Sequence, residues 1–299
     1  MRDTHGSSIA RPASGRDQLL DPEGLSSRGF ERITVGRVQI LARAEAASWS
    51  REAVAAYGSL YQAALDSACR TLHGRGPVPI LPNPQGIEPP WVVRRYYRGG
   101  LMRAFGDRFL RVGRPRSFLE LENSARIEEM GFVTARVVAA AVYPSGVLYR
   151  ADLVTEFVPH ARTLADVLFG IDDPSCGSNA AEARRDDGRD ARRDARRQAL
   201  ACTRNLITRL AKAGVHHPDL NAENVLIARE AQQVHAILID LDGCRVAEPS
   251  NPVDAGRLRR RLVRSIRKLD RARPRSHLDG EGHLTTEELN HLLSETEAL

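Results

Sequence analysis

Cysteine is scarce in this chain of 299 residues: Cys69, Cys176, Cys202 and Cys244 stand far apart, and no C-x-x-C pair occurs. That spacing argues against a cysteine-built zinc site and against a disulfide framework. A reducing compartment is the plainer setting. Long apolar runs are also missing, and no stretch approaches the roughly 18 residues of a membrane-spanning helix. The opening segment MRDTHGSSIARPASGRDQ lacks the apolar h-region of a secretory signal. The expectation is a protein that is soluble, or that lies on a membrane without crossing it.

What is present is ordinary in bulk. Forty-two per cent of residues are hydrophobic and 27% charged, and the length allows one large domain or two lobes with a real core. The net charge of +6 favours anionic partners: nucleotide, nucleic acid or an acidic membrane surface. Charge alone does not choose among them.

Residues 1–30 are polar and rich in Ser, Gly and Arg, and read as a disordered tail. RITVGRVQILARAEAASW and the residues after it read as a short strand followed by helical segments. HGRGPVPILPNPQGIEPPWVVRRYY reads as turn, strand, Pro-rich loop and strand. Phe118, Leu121, Ala125 and Ile127 recur at helical spacing before a stop at Gly131. Strands at ARVVAAAVY and YRADLVTEFV complete a sheet of about four or five strands with one helix. Residues 184–197 hold seven Arg and four Asp and no large apolar residue, the mark of a solvated helix or an insertion loop. QALACTRNLITRLAKAGV is again helical, and VLIARE with HAILIDLDGCRV reads as a buried hairpin. The fold class expected is α+β, with a β-rich first half and a helix-rich second half.

Between these last two segments stands HHPDLNAENVLI, residues 216–227. Asp219 and Asn224 lie five apart in a loop that runs straight into an apolar strand. Asp240 follows 21 residues after Asp219, at the end of the strand ILID, and a hairpin returns it beside the loop. Phosphoryl transfer needs a carboxylate to orient the attacking hydroxyl and hard oxygen ligands to hold magnesium against phosphates. Two acids and an amide meeting at strand ends suit that chemistry.

HPDLNAENVLI followed by LIDLDG resembles the catalytic and metal-binding loops of the protein-kinase-like fold, H-x-D-L-x-x-x-N and D-F-G. His217, Asp219, Leu220 and Asn224 fill the four fixed loop positions. Together with WVVRRYYRGGLMRAFGDRF, RSFLELENSARIEEMGF and LYRADLVTEFVPHARTLADVL, these segments resemble the bacterial lipopolysaccharide kinases. The nearest likeness is to those acting on 3-deoxy-D-manno-octulosonic acid (Kdo). It spans residues 70–270, leaving out 171–197 and both tails.

The resemblance implies a two-lobed fold: an N-lobe over 31–158, a reduced helical C-lobe over 159–270 with a charged insertion at 171–197, and a tail over 271–299. It implies ATP and Mg2+ as cofactors, a lipid-linked Kdo sugar as acceptor, and a place on the cytoplasmic face of the inner membrane. Asp219 is then the catalytic residue, and Asn224 and Asp240 hold the metal. Arg94 stands where protein kinases carry the third-strand lysine, and it can grip phosphate bidentately at any pH. Its partner would be Glu120, with Glu122 as the rival. Gly74 and Gly76 sit where a glycine-rich loop would cover the phosphates, and the segment around Glu156 would be the hinge that meets adenine.

The departures narrow the acceptor. Pro218 replaces the arginine before the catalytic Asp, Asn221 replaces the catalytic-loop lysine, and no A-P-E motif follows Asp242. A small or lipid-linked sugar fits this short lobe better than a polypeptide. Rivals remain: an aminoglycoside-type phosphotransferase, a Ser/Thr kinase, or a pseudokinase scaffold, against which the intact Asp219, Asn224 and Asp240 speak.

Residues 257–275 hold ten Arg or Lys against one Asp, with Leu258, Leu262, Ile266 and Leu269 on one helical stripe. Either the basic side is merely solvated, or it faces anionic lipid headgroups or the acidic acceptor. No recognised nucleic-acid module is visible. Near the C-terminus, HLDGEGHLTTEELNHLL hints at a calcium loop but begins with His277 where an Asp would stand. A loop and a short helix capped by Thr285 and Glu288 is the favoured reading.

Overall fold

The computed structural model describes residues 24–73, 76–97, 106–169, 187–230, 233–247 and 253–272. Gly74, the tail before residue 24, the span 170–186 and the 277–288 segment lie outside the described residues.

The chain opens with Phe30–Val35 (β1) and Val38–Arg43 (β2), paired antiparallel with Val35 opposite Val38. The turn between them uses Gly36 at φ +59°, a left-handed position that glycine occupies without penalty. Where the sequence suggested one short strand there are thus two, because VGRV is a two-residue hairpin turn. Helices Ala44–Tyr57 (α1) and Leu60–Ser67 (α2) follow, the second capped by Ser59, whose Oγ accepts from Gln62 N at 3.1 Å. Then come Arg70–His73 (β3), Pro77–Leu81 (β4), Trp91–Arg95 (β5), Phe109–Leu110 (β6), Arg116–Glu129 (α3), Val137–Ser145 (β7) and Leu148–Glu156 (β8).

These strands form one antiparallel sheet of eight, in the order β1-β2-β7-β8-β5-β4-β3 with β6 against β8. The expectation of four or five strands and one helix was too small. Besides the second strand of the first hairpin, it missed β3 and β6, which at four and two residues are too short for their alternation to carry an apolar signal. Successive residues of a strand face opposite sides, and β7 shows the consequence. Ala139 and Ala141 pack with Trp91 and Val93 under α1 and α2, while Ala140 and Val142 pack with Leu121 and Leu153 under α3. A strand covered on both faces reads as the continuous apolar run VVAAAV, and its alanines let helices approach closely from either side.

Residues 157–161 lead from β8 to the second lobe: Arg162–Thr163 (β9), Leu164–Phe169 (α4), Asp187–Lys212 (α5), Val215–His216 (β10), Val225–Glu230 (β11), Gln233–Leu238 (β12), Arg245–Val246 (β13) and Ala255–Ala272 (α6). A small sheet runs β12-β11-β9, and β10 pairs with β13. Leu164, Leu168, Leu200, Ile207, Leu210, Leu262 and Ile266 build the core of this lobe, each stabilising it by roughly 1.5–3 kcal/mol on burial. The charged run is continuous from Asp187 with α5, so its second half is a solvated helix; Arg197 and Asp194 sit 3.7 Å apart on its surface. In α6 the stripe Leu258, Leu262 and Ile266 is buried as expected, and most of the basic residues are exposed. Arg259 differs: it is 7% exposed and its Nη2 donates to Thr208 Oγ1 of α5 at 3.0 Å.

Candidate active site

The β11–β12 hairpin carries out the return that the sequence suggested. Val225 pairs with Leu238, and Ile239 N donates to Asn224 O at 3.0 Å, so Asp240 emerges one residue beyond Asn224's partner. The loop from Asp219 to Asn224 is tied internally. Asn221 Oδ1 accepts from Glu223 N at 2.8 Å and Asn224 N at 3.0 Å, an Asx turn. The side-chain amides of Asn221 and Asn224 both donate to Asp219 O, at 3.1 and 2.9 Å. Buried Leu220 and Ala222 seat the loop on the core, and Ser265 Oγ of α6 accepts from Ala222 N at 3.3 Å. Asp219 itself is exposed, open to an incoming hydroxyl.

His217, immediately behind, is fully buried, and its Nδ1 accepts from Asp219 N at 3.2 Å. Burial holds its imidazole below the ordinary range against the opposing pull of Ile239 O, Asp240 and Asp219. It is therefore neutral at pH 7, the form that can accept this bond. Asp240 has φ +59°, a left-handed conformation costing a β-carbon-bearing residue about 1–2 kcal/mol. Such strain is held by surrounding contacts, and here those contacts come from the other lobe.

Alternation along β5 separates its two arginines. Arg95 turns toward α2, where its Nε donates to Asp152 Oδ1 at 3.1 Å and its Nη2 to Ser59 Oγ at 3.0 Å. Arg94 turns toward α3: its Nη2 meets Glu120 Oε1 at 2.6 Å and its Nη1 lies 3.5 Å from Asp240 Oδ1. The rival Glu122 pairs with Arg114 at 2.8 Å instead. Glu120 is 2% exposed. A buried carboxylate is tolerated only when paired and hydrogen-bonded, and Glu120 has three donors: Arg94, Leu241 N at 3.2 Å, and the Tyr96 hydroxyl. Burial works against the Arg94 charge, but Glu120 and Asp240 outweigh it and lift its pKa above the usual value. The Tyr96 phenol is pushed up by burial and then by the Glu120 charge, so it stays a donor.

Two residues that the sequence reading passed over join this clasp. Arg116 grips Asp242 with both Nε and Nη2 and lies over the Phe109 ring, 5.2 Å from its centroid. Asn123 Nδ2 donates to Cys244 O at 2.9 Å and Leu241 O at 3.4 Å. Arg116, Glu120 and Asn123 fall at i, i+4 and i+7, one face of α3, opposite the apolar face of Phe118, Leu121 and Ala125. That polar stripe was the available signal.

Gly76 precedes β4, and a β-carbon there would come within 2.9 Å of the Tyr97 ring, so a larger residue would displace that ring. Glu156 begins the 157–161 connection. Its carboxylate is committed to Arg136 at 2.6 Å, and the next residue's amide, Phe157 N, donates to Pro90 O at 2.8 Å.

The donor set suits a hard cation. Asp240 offers a carboxylate and Asn224 an amide oxygen, its NH2 end being committed to Asp219 O. Among the described residues no group of three or more His, Cys, Asp or Glu gathers.

Comparison with known proteins gives four matches. A family profile described as "Lipopolysaccharide kinase (Kdo/WaaP) family" matches residues 85–274. A 3-deoxy-D-manno-octulosonic acid kinase of Xanthomonas euvesicatoria is 34% identical over 209 residues, 69% of this chain and 72% of that protein. One of the same name from Haemophilus influenzae is 30% identical over 176 residues, 57% of this chain and 64% of the relative's length. A solved structure described as "WaaP in complex with acyl carrier protein" aligns with TM-score 0.45 and 12% identity, covering 81% of this chain and 84% of that one.

Proposed function

This chain belongs to the lipopolysaccharide kinase (Kdo/WaaP) family, and we propose that it transfers the γ-phosphate of ATP to a hydroxyl of Kdo in the lipid-linked inner core. The relatives bear the name of a Kdo kinase. The observation that carries the reading is Arg94, which holds Glu120 at 2.6 Å and lies 3.5 Å from Asp240, so that a fixed cation stands beside the carboxylate proposed to take the metal. Phosphates with magnesium fit between such groups, and positioning with electrostatic stabilisation supplies most of the catalysis of phosphoryl transfer.

In this reading Asp219 accepts the hydrogen bond of the attacking hydroxyl and takes its proton as the new O–P bond forms and the bond from the γ-phosphorus to the ADP oxygen breaks, releasing ADP. Arg94 neutralises phosphate oxygens while Glu120 fixes its fork. Asn224 and Asp240 would hold magnesium, whose charge would offset that of the phosphates. The turn containing Gly76 covers the phosphate end, and the backbone beside Glu156 borders the adenine. No helix among the described residues is long and apolar enough to cross a membrane; the enzyme is peripheral on the inner membrane's cytoplasmic face, held in part by the exposed cations of α6.

Incubating purified protein with magnesium and ATP against free Kdo, Kdo-lipid A, an aminoglycoside and a Ser/Thr peptide tests this. ADP release that depends on a Kdo acceptor is expected. Release only with the aminoglycoside or the peptide would contradict it, and absence of nucleotide binding would point to a scaffold.

A further inference from the structure

Both active loops are flanked by one short ladder. β10 runs directly into His217 and Asp219, β13 follows Asp240 and Asp242, and in the ladder His216 lies opposite Arg245. His216 is three residues from Asp219, hence within about 11 Å of it along the chain. Helix α6 passes the same place, since Ser265 touches Ala222 of the catalytic loop at 3.3 Å. Arg261 lies one turn before Ser265, and Arg257 one turn before Arg261, on the same face. Arg245, Arg257 and Arg261 are all exposed, and none forms an ion pair with a carboxylate among the described residues. By contrast, neighbouring Arg260 is neutralised by Asp254 at 3.1 Å.

We propose that His216, Arg245, Arg257 and Arg261 form the subsite that receives the carboxylate of the acceptor sugar acid and so presents its hydroxyl to Asp219. The inference rests on the acceptor being a sugar acid, as proposed above. An ionised carboxylate matches the planar, two-donor fork of arginine. The same charge repels amino sugars, so the cluster selects against a cationic acceptor as well as for an acidic one. The His216 imidazole is held below its ordinary range by burial and then by the charges of Arg257, Arg261 and Arg245, so it is neutral at pH 7 and offers one N–H.

The test uses soluble Kdo and its methyl ester, which keeps the hydroxyls and removes the charge. Binding to the full chain is measured by calorimetry, and KM for acceptor and for ATP by turnover. Wild type binds the acid roughly tenfold more tightly than the ester, the worth of a charge-assisted bond. Arg245→Gln, Arg257→Gln and Arg261→Gln each narrow that gap and raise the acceptor KM while leaving the ATP KM alone. Arg261→Lys keeps part of it. Equal binding of acid and ester by wild type overturns the proposal, as does full discrimination in the three variants. An effect seen only with vesicle-embedded acceptor would assign the arginines to the lipid surface, and overturn it too. Wild type that discriminates in binding but transfers no phosphate contradicts the proposed reaction, not the subsite.

Discussion

Arg94 and Glu120 meet at 2.6 Å between β5 and α3, and the same Glu120 oxygen accepts the Leu241 amide at 3.2 Å. One buried carboxylate thereby joins the large sheet, its helix and the loop that carries Asp240. The left-handed backbone of Asp240 is held from the opposite lobe by this contact, by Arg116 on Asp242 and by Asn123 on Cys244 O. Orientation of the loop that carries Asp240 is therefore set in part by α3.

If the pair acts as one unit, Arg94→Ala and Glu120→Ala each lower kcat/KM by a large factor. The double variant then costs much less than the sum of the two, with a coupling of about 0.5–3 kcal/mol. Glu122→Ala leaves activity near wild type, because Glu122 serves Arg114. Additive losses in the Arg94–Glu120 cycle would show that they are not partners.

Asp219 and Asp240 separate by readout. Asp219→Ala should abolish transfer and leave nucleotide binding nearly intact, since the proposed reading gives this exposed side chain to the acceptor hydroxyl and not to the nucleotide. Loss of one positioned general base costs about 100- to 10,000-fold. Asp240→Ala should weaken binding of magnesium-ATP in a titration that needs no turnover. A reversed pattern would exchange the two roles.

Buried His217 gives a pH signature. Its folded pKa lies below the ordinary 6.5 because of burial. As pH falls below about 6.5 the unfolded chain takes up the proton first, so stability drops; above that pH the contribution is constant. Urea midpoints between about pH 5 and 7.5 should fall toward acid in wild type more steeply than in His217→Gln. Parallel slopes would mean that His217 is not the group responsible.

The basic helix divides by burial. Arg259→Gln loses its bond to Thr208 and should lower stability by about 1–3 kcal/mol without altering vesicle binding. The triple change Arg264→Gln, Arg267→Gln and Lys268→Gln removes exposed cations, each contributing about 1 kcal/mol at an anionic surface. It should reduce co-sedimentation with anionic vesicles and spare the melting temperature. High salt should mimic it, as the Debye length falls to about 3 Å at 1 M. Vesicle binding unmoved by either leaves α6 a solvated surface.

The catalytic loop was legible because its chemistry is local. Asp219, Asn221 and Asn224 close one turn, and the apolar runs VLIA and AIL of β11 and β12, separated by a polar turn, announce the hairpin that returns Asp240. The helical face of α3 and the stop at Gly131 were legible for the same reason. Arg94 and Glu120 needed the resemblance, since 26 residues separate them and no periodicity joins a strand to a distant helix. The reach of Arg116 to Asp242 spans 126 residues, and the burial of Arg259 depends on how α5 and α6 pack; neither leaves a pattern in the chain. The strand β3 escaped because Arg70–Leu72 read as the end of the helical segments before it, and its exposed Arg70 and Thr71 carry no apolar alternation.

The central claim is phosphate transfer to the Kdo sugar with Asp219 as its base. Mass spectrometry of Kdo-lipid A after incubation with enzyme, magnesium and ATP tests it most directly. The account predicts a mass gain of one phosphate on the Kdo unit with wild type and none with Asp219→Ala, while both proteins bind magnesium-ATP. An unchanged acceptor with wild type, or the same gain with Asp219→Ala, would contradict it.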